Sequence, residues 1–313
     1  MAHSSSGLTD QPHTDDPGLD SLTTEAGSAP SADYDLHETL ELVELMSAED
    51  ATVPAAVRAA GSSIAVTVDA ISHRLRRGGR LVYVGAGSSG RIAALDAAEC
   101  ESTFSIPPEK VVALVAGGVN SSPLAQEAAE DDRDAGAADI LALQVGPEDA
   151  VVAVSASGRT PYALGAAAAA SEAGALTACI VSVRGSELAR LVEHEIAVVV
   201  GPEFLAGSTR LKAGTAQKLI LNMLSTISMI RLGKTYGNLM VDVNATNEKL
   251  RARVRRIVQS ATGASREQVE EALAASGGET KVAIVSLIAG IDAEQARERL
   301  DAAGSSIRLA LER

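Results

Sequence analysis

The sequence predicts an α/β fold, a parallel sheet with helices on both faces, followed by a small all-helical region. Three observations carry this. Five short apolar runs, Leu81–Val84, Val111–Val115, Ala150–Val154, Ala178–Val183 and Ile196–Val200, are rich in β-branched residues and do not alternate with polar ones. That pattern suits strands covered on both faces. Helical stretches separate them, at 122–134, 161–173 and 186–192, and alternation of strand and helix defines the class. Beyond Asn244 the texture changes to short amphipathic segments broken at Gly263, Gly277-Gly278, Gly290 and Gly304, which reads as a separate helical unit.

In chain order, residues 1–33 are rich in Ser, Asp, Thr, Gly and Pro, and no Lys or Arg occurs before Arg58. This composition predicts a disordered acidic tail. A helix is expected from Tyr34, with Leu36, Leu40 and Val43 on one face, and a second from Pro54 to His73, with Pro in its first turn. The stretch 207–238, GSTRLKAGTAQKLILNMLSTISMIRLGKTYGN, holds a long helix. Its Leu219, Met223, Ile227 and Ile230 recur at helical spacing and are expected to face the core. The resulting division is a tail over 1–33, a main domain over 34–245 and a helical domain over 246–313.

The totals narrow the function. The chain has 313 residues, 46% of them hydrophobic, enough for a large core. A formal net charge of −14 argues against a nucleic-acid partner. No run is long and apolar enough to cross a membrane, and no basic-then-apolar leader opens the chain, so no membrane partner and a cytoplasmic location are expected. Two cysteines, Cys100 and Cys179, make no disulfide framework, and no Cys/His set has metal-ligand spacing, so no metal is expected. Aromatic residues are only 2%, which leaves a sugar to be held by hydrogen bonds rather than by stacking.

The most informative stretch is 81–100, LVYVGAGSSGRIAALDAAEC. A buried strand runs into Gly85, Gly87, Ser88, Ser89 and Gly90, then into a helix. The first N–H groups of a helix have no partner within it and carry partial positive charge. Glycines let a phosphate approach them, and serine hydroxyls add donors. The third strand ends in an echo, Ser155-Ala156-Ser157-Gly158-Arg159-Thr160. Ser-Gly-Arg at two strand ends of one sheet predicts two walls of one pocket. For Arg91 and Arg159 a solvated helix start is an equal reading.

Rival chemistries fit less well. Gly85-Ala86-Gly87-Ser88-Ser89-Gly90 matches G-x-G-x-x-G, but the next strand ends Val115-Ala116-Gly117-Gly118 without the acidic residue a dinucleotide site requires. No P-loop occurs. A nucleophile elbow at Ser88 lacks its first glycine, because Ala86 stands there, and only His194 could serve it. Glu99 stands out for its link to the phosphate turn and its small apolar neighbours, which predict a sheltered carboxyl. Glu130, among Glu127, Asp131 and Asp132, reads on its own as part of a solvated charged face.

Four blocks taken together, VGAGSSGRIAALDAAEC, ASGRTPY (156–162), GSTRLKAGTAQKLILNMLST (207–226) and YGNLMVDVNATNEKL (236–250), resemble the N-acetylmuramic acid 6-phosphate etherases. The resemblance spans about residues 35–313. It implies a sugar-isomerase (SIS) fold, a flavodoxin-like parallel sheet, with a ubiquitin-associated-like (UBA-like) helical domain behind it. It also implies a cytoplasmic homodimer that recycles cell-wall amino sugar, cleaving the D-lactyl ether to release N-acetylglucosamine 6-phosphate and D-lactate. By the same resemblance Glu99 is the proton donor and Glu130 the second catalytic carboxylate, assigned as base. The phosphate cradle comprises Gly87, Ser88, Ser89, Gly90, Ser157, Gly158 and Thr160. No metal or redox cofactor is called for. Two departures stand out. Ser88 replaces the usual Thr of the turn and keeps its hydroxyl, and Thr24-Glu25 precede GSAPS where the family has an Asn nearby. The alternatives are a sugar-phosphate-binding regulatory protein, like the mammalian glucokinase regulatory protein, and an aldose–ketose isomerase on the same fold.

Overall fold

The computed structural model describes residues 31–119, 123–243 and 248–312. The expected tail lies outside the described residues up to position 30, and Thr24-Glu25 with it. A short 3-10 segment, Ser31–Leu36, leads into α1 (Thr39–Asp50), α2 (Val53–Ala59) and α3 (Gly61–Arg76). The single helix expected from Pro54 to His73 is thus two, parted at Ala60. Leu36, Leu40 and Val43 are all more than half exposed, and α1 buries none of its residues.

The sheet comprises β1 (Leu81–Gly85), β2 (Val111–Val115), β3 (Ala150–Val154), β4 (Leu176–Val181) and β5 (His194–Ala197). All neighbours are parallel, in the order β2-β1-β3-β4-β5. The last two strands begin two residues earlier than their apolar runs suggested. Between strands come α4 (Gly87–Phe104), α5 (Pro123–Glu130), α6 (Arg133–Ala142) and α7 (Pro161–Glu172). The helix expected over 122–134 ends at Glu130. Asp132 then starts α6 as its cap, accepting a hydrogen bond from Ala135 N at 2.8 Å. The piece expected at 186–192 is a single 3-10 turn, Leu188–Arg190.

Both sheet faces are covered, as the unalternating strands require. Leu81, Tyr83, Ala150 and Val152 pack into one core with α3, α4 and α8 (Lys212–Arg231). Val82, Val84 and Val151 pack into another with Ile140 of α6 and Tyr162 and Ala166 of α7. Ile220, Leu221 and Leu224 of α8 are fully buried, each contributing about 1.5–3 kcal/mol. The stripe expected to face the core does so only in part: Leu219 and Met223 are half-buried and pack against it, whereas Ile227 and Ile230 are 36% and 46% exposed. Helix α8 is apolar on two sides, and sequence spacing alone does not say which side meets the sheet.

At the amino edge of the sheet, Arg80 pins β1 to the start of β3. Its guanidinium grips Asp149 through two nitrogens at 2.7 and 3.1 Å, and its backbone N–H donates to the same carboxylate at 2.8 Å. Burial pushes this carboxyl up, but those bonds and one from Gly146 N outweigh it and hold it below the usual aspartate range.

After α8 come a two-stranded hairpin, β6 (Thr235–Tyr236) and β7 (Leu239–Met240), and five helices: α9 (Glu248–Thr262), α10 (Arg266–Ala275), α11 (Thr280–Ala289), α12 (Ala293–Ala302) and α13 (Ile307–Leu311). The breaks between these helices fall at the glycines noted in the sequence. Val254, Ile257, Val258, Val282, Ile284, Val285 and Leu300 form a core distinct from the sheet cores.

Candidate active site

β1 is flanked by β2 on one side and β3 on the other, so the chain reverses direction across the sheet between β1 and β3. Open α/β sheets bind ligands at the carboxyl ends of the strands at such a switch point. Gly85 and Val154, the last residues of β1 and β3, are in register there. The two Ser-Gly-Arg segments begin at these strand ends and form two walls of one pocket. Its lining comprises Ala86, Gly87, Ser88, Ser89 and Arg91 from the first segment, Ser155, Ala156, Ser157 and Thr160 from the second, Glu127 and Glu130 from α5, and Gly207 and Thr209.

The first wall is a helix start. Gly87 is the first residue of α4, and Gly90 N already bonds Ala86 O at 3.0 Å. The amides of Gly87, Ser88 and Ser89 therefore precede the helical ladder and are offered to the pocket. Gly90 stands behind the wall: a Cβ there would sit 2.5 Å from Gly85 O. Its glycine lets α4 leave β1 this tightly. Gly158 likewise supports the second wall from outside the lining, with φ of +65° and Ser186 where a side chain would go.

The second wall is held by hydroxyls. Ser155 Oγ accepts from Gly158 N at 3.0 Å and lies 2.9 Å from Thr160 Oγ1. Thr160 Oγ1 in turn donates to Glu130 Oε1 at 3.4 Å. Thr160 also precedes α7, whose first helical residue is Pro161. Gly207 and Thr209 are brought over the pocket by the start of α8, where the buried Glu203 accepts from Lys212 N and Ala213 N at 2.8 and 2.9 Å.

Glu130 is one of the two carboxylates of this pocket and the one bonded to its second wall. A Cβ built on Gly87 would stand 3.6 Å from Glu130 Oε2. Burial raises its affinity for a proton above the ordinary glutamate value. The Thr160 hydroxyl and Arg91 draw it back, and Asp131 and Glu127 add to the rise. Next along the chain α6 crosses α7 closely: a Cβ on Gly136 would lie 2.0 Å from Tyr162 O and one on Gly165 1.9 Å from Arg133 O. Read in sequence as one charge among several, Glu130 is singled out by its contacts with Gly87 and Thr160 at the pocket. Arg91, Ser155 and Thr209 also line the pocket. Arg91 and Ser155 sit in the two strand-end segments, and Thr209 opens the block that leads into α8.

Glu99 is elsewhere. It is eleven residues along α4 from Ser88, about 16 Å at helical rise, and it is exposed rather than sheltered. It lines a second cavity, between α4 and α8, with Asp96, Cys100, Lys218, Asn222 and Ser225. The four hydroxyl candidates, Ser88, Ser89, Ser157 and Thr160, are brought together with Glu130; Glu99 of the same chain is not.

Comparison with known proteins places this geometry. The SIS domain family matches residues 133–227, and the glucokinase regulatory protein N-terminal SIS domain family matches residues 63–171. A phosphoheptose isomerase from Francisella tularensis shares the fold, with a TM-score of 0.51 at 18% identity, over 62% of this chain and 100% of that one. The N-acetylmuramic acid 6-phosphate etherase of Streptomyces avermitilis is 55% identical over 94% of each chain. That of Rubrobacter xylanophilus is 57% identical over 296 residues, 95% of this chain and 98% of the relative. Identity above one half across nearly the whole of both chains is decisive: this chain belongs to the N-acetylmuramic acid 6-phosphate etherase family.

Proposed function

We propose that the chain is a carbon–oxygen lyase that cleaves the D-lactyl ether of N-acetylmuramic acid 6-phosphate, releasing N-acetylglucosamine 6-phosphate and D-lactate. The observation that carries the reading is the meeting of an anion cradle with a proton-avid carboxylate, Glu130 against Gly87 and Thr160, in a chain of this family. The backbone amides of Gly87, Ser88 and Ser89 and the hydroxyls of Ser88, Ser89, Ser157 and Thr160 take the phosphoryl group. That anchor is remote from the reacting bond, so its binding energy serves to position the sugar.

An alkyl ether resists direct hydrolysis. In the open-chain sugar the C2 proton is acidified by the neighbouring aldehyde. Glu130 removes it, and electrons move to form the C2–C3 double bond as the C3–O bond breaks. Glu99 protonates the departing lactyl oxygen. Water then adds to C3 of the unsaturated aldehyde, and a proton returns to C2. Burial raises the proton affinity of Glu130, the direction that makes a carboxylate a stronger general base.

Because Glu99 is about 16 Å along its helix from the cradle, the reading includes a homodimer in which Glu99 of one protomer completes the pocket of its partner. Exposed Ile227 and Ile230 of α8 and the 58%-exposed Leu95 of α4 are the apolar surface such a dimer would cover. The enzyme would act in the cytoplasm, with an acidic tail over 1–33, a sugar-phosphate domain over 34–245 and a helical domain over 246–313.

Incubation with N-acetylmuramic acid 6-phosphate in 18O-labelled water tests the reaction. Equimolar D-lactate and N-acetylglucosamine 6-phosphate, with the label at the C3 hydroxyl and none in lactate, is expected. Label in lactate would exclude elimination. Thermal stabilisation by the substrate without turnover would mark a regulatory protein, and an isomerised sugar without lactate an isomerase.

A further inference from the structure

The cavity between α4 and α8, about 360 Å3 in volume, contains groups that the proton transfers at Glu99 and Glu130 do not use. Asp96 lies one turn before Glu99. Its carboxylate accepts from the hydroxyl of the fully buried Tyr83 at 3.0 Å and from Ser225 Oγ at 3.1 Å. The Asn222 amide, in the orientation that satisfies both its ends, donates to Asp96 Oδ1 at 3.0 Å and accepts from Lys218 Nζ at 2.8 Å. A chain of hydrogen bonds thus runs from the core of β1 to an exposed ammonium at the cavity wall. Lys218 makes no direct ion pair with a carboxylate among the described residues, its charge reaching Asp96 across Asn222, and it is the one cation among the residues lining this cavity.

The substrate of the proposed reaction has two anions. One is the phosphate on C6. The other is the lactyl carboxylate, joined through a single carbon to the ether oxygen that leaves. A donor that protonates this oxygen therefore has the carboxylate beside it. An unneutralised carboxylate there would repel Glu99 and would be costly to desolvate. We propose that Lys218 binds the lactyl carboxylate, that the Asp96–Asn222 chain positions it, and that this contact distinguishes the ether substrate from its sugar product, which lacks that carboxylate. Ile92 and Leu95 in the same lining offer apolar surface to the lactyl methyl group. The inference rests on the reading of Glu99 as the proton donor of an etherase.

Its test compares N-acetylmuramic acid 6-phosphate with its lactyl amide, which is uncharged, in wild type, Lys218→Met and Lys218→Arg. Lys218 is exposed, so these variants should keep the wild-type melting curve. The expected result is a rise in KM of about tenfold or more for the acid in Lys218→Met, the size expected for a hydrogen bond to a charged group. KM for the amide should be unchanged, and Lys218→Arg should recover part of the loss. Asn222→Ala should show the same acid-selective loss to a smaller degree. Equal effects on acid and amide, or no effect on either, would overturn the assignment while wild type still released D-lactate. A wild type that released none would instead overturn the etherase reading.

Discussion

The two ends of α4 build opposite kinds of site. At its amino end the helix offers backbone amides, two serines and a tight departure from β1, and the resulting pocket is polar because of where the chain turns. At the other end Asp96, Glu99 and Cys100 meet side chains of α8, and the cavity owes its character to side-chain chemistry alone. Burial drives the Cys100 thiol up to about 12, which makes it a packing group and not a nucleophile. A site written in backbone geometry leaves a local sequence signature. A site written in contacts between distant helices leaves none.

Glu130→Gln breaks the comparison most severely. It keeps the shape of the pocket wall and removes the base, so kcat should fall by about 10²–10⁴-fold with little change in KM, read from the rate of D-lactate release. A loss expressed only in KM would make Glu130 a binding group.

Asp149→Asn tests the frame that holds the strand ends in register. It should cost about 2–3 kcal/mol at neutral pH by denaturant unfolding. The native carboxyl is held below its unfolded value, so its stabilisation is present above the ordinary aspartate range and is lost as the pH falls through the native value. The gap between wild type and variant should therefore close below about pH 4. A constant gap would assign the loss to packing.

Gly90→Ala places a methyl group against Gly85 O, a contact that only movement of α4 can relieve. A stability loss of about 1–3 kcal/mol is expected, together with weaker binding of inorganic phosphate by calorimetry. Unchanged phosphate affinity would detach the helix start from the cradle.

The smallest effect is expected from Thr160→Val. The Thr160 hydroxyl lowers the proton affinity of Glu130. Its loss should move the acid limb of the kcat/KM profile to higher pH, because the base then needs a higher pH to ionise. A shift to lower pH would contradict the role of this hydroxyl.

Much of the first site was legible. The run into Gly85-Ala86-Gly87-Ser88-Ser89-Gly90 gave strand, turn and helix together, and its echo after β3 gave the second wall. Glu130 was not legible from its own neighbourhood, since its selection depends on where α5 ends and on its contacts with Gly87 and Thr160, which come from other parts of the chain. The core face of α8 was only half legible, Leu219 and Met223 packing against the core and Ile227 and Ile230 not, because a helix apolar on both sides has no single period that marks the sheet side. The helix-to-helix pairing that holds Asp96 spans 129 residues between α4 and Ser225 of α8, a separation over which no local pattern carries information.

The central claim is that Glu99 acts in its partner's pocket. Mixing inactive Glu99→Gln with inactive Glu130→Gln, unfolding and refolding them together, tests this directly. Recovery of about a quarter of the wild-type rate is predicted, because half of randomly paired dimers are mixed and each mixed dimer carries one intact site. A mixture that stays inactive, while wild type treated in the same way regains full activity, would contradict the account.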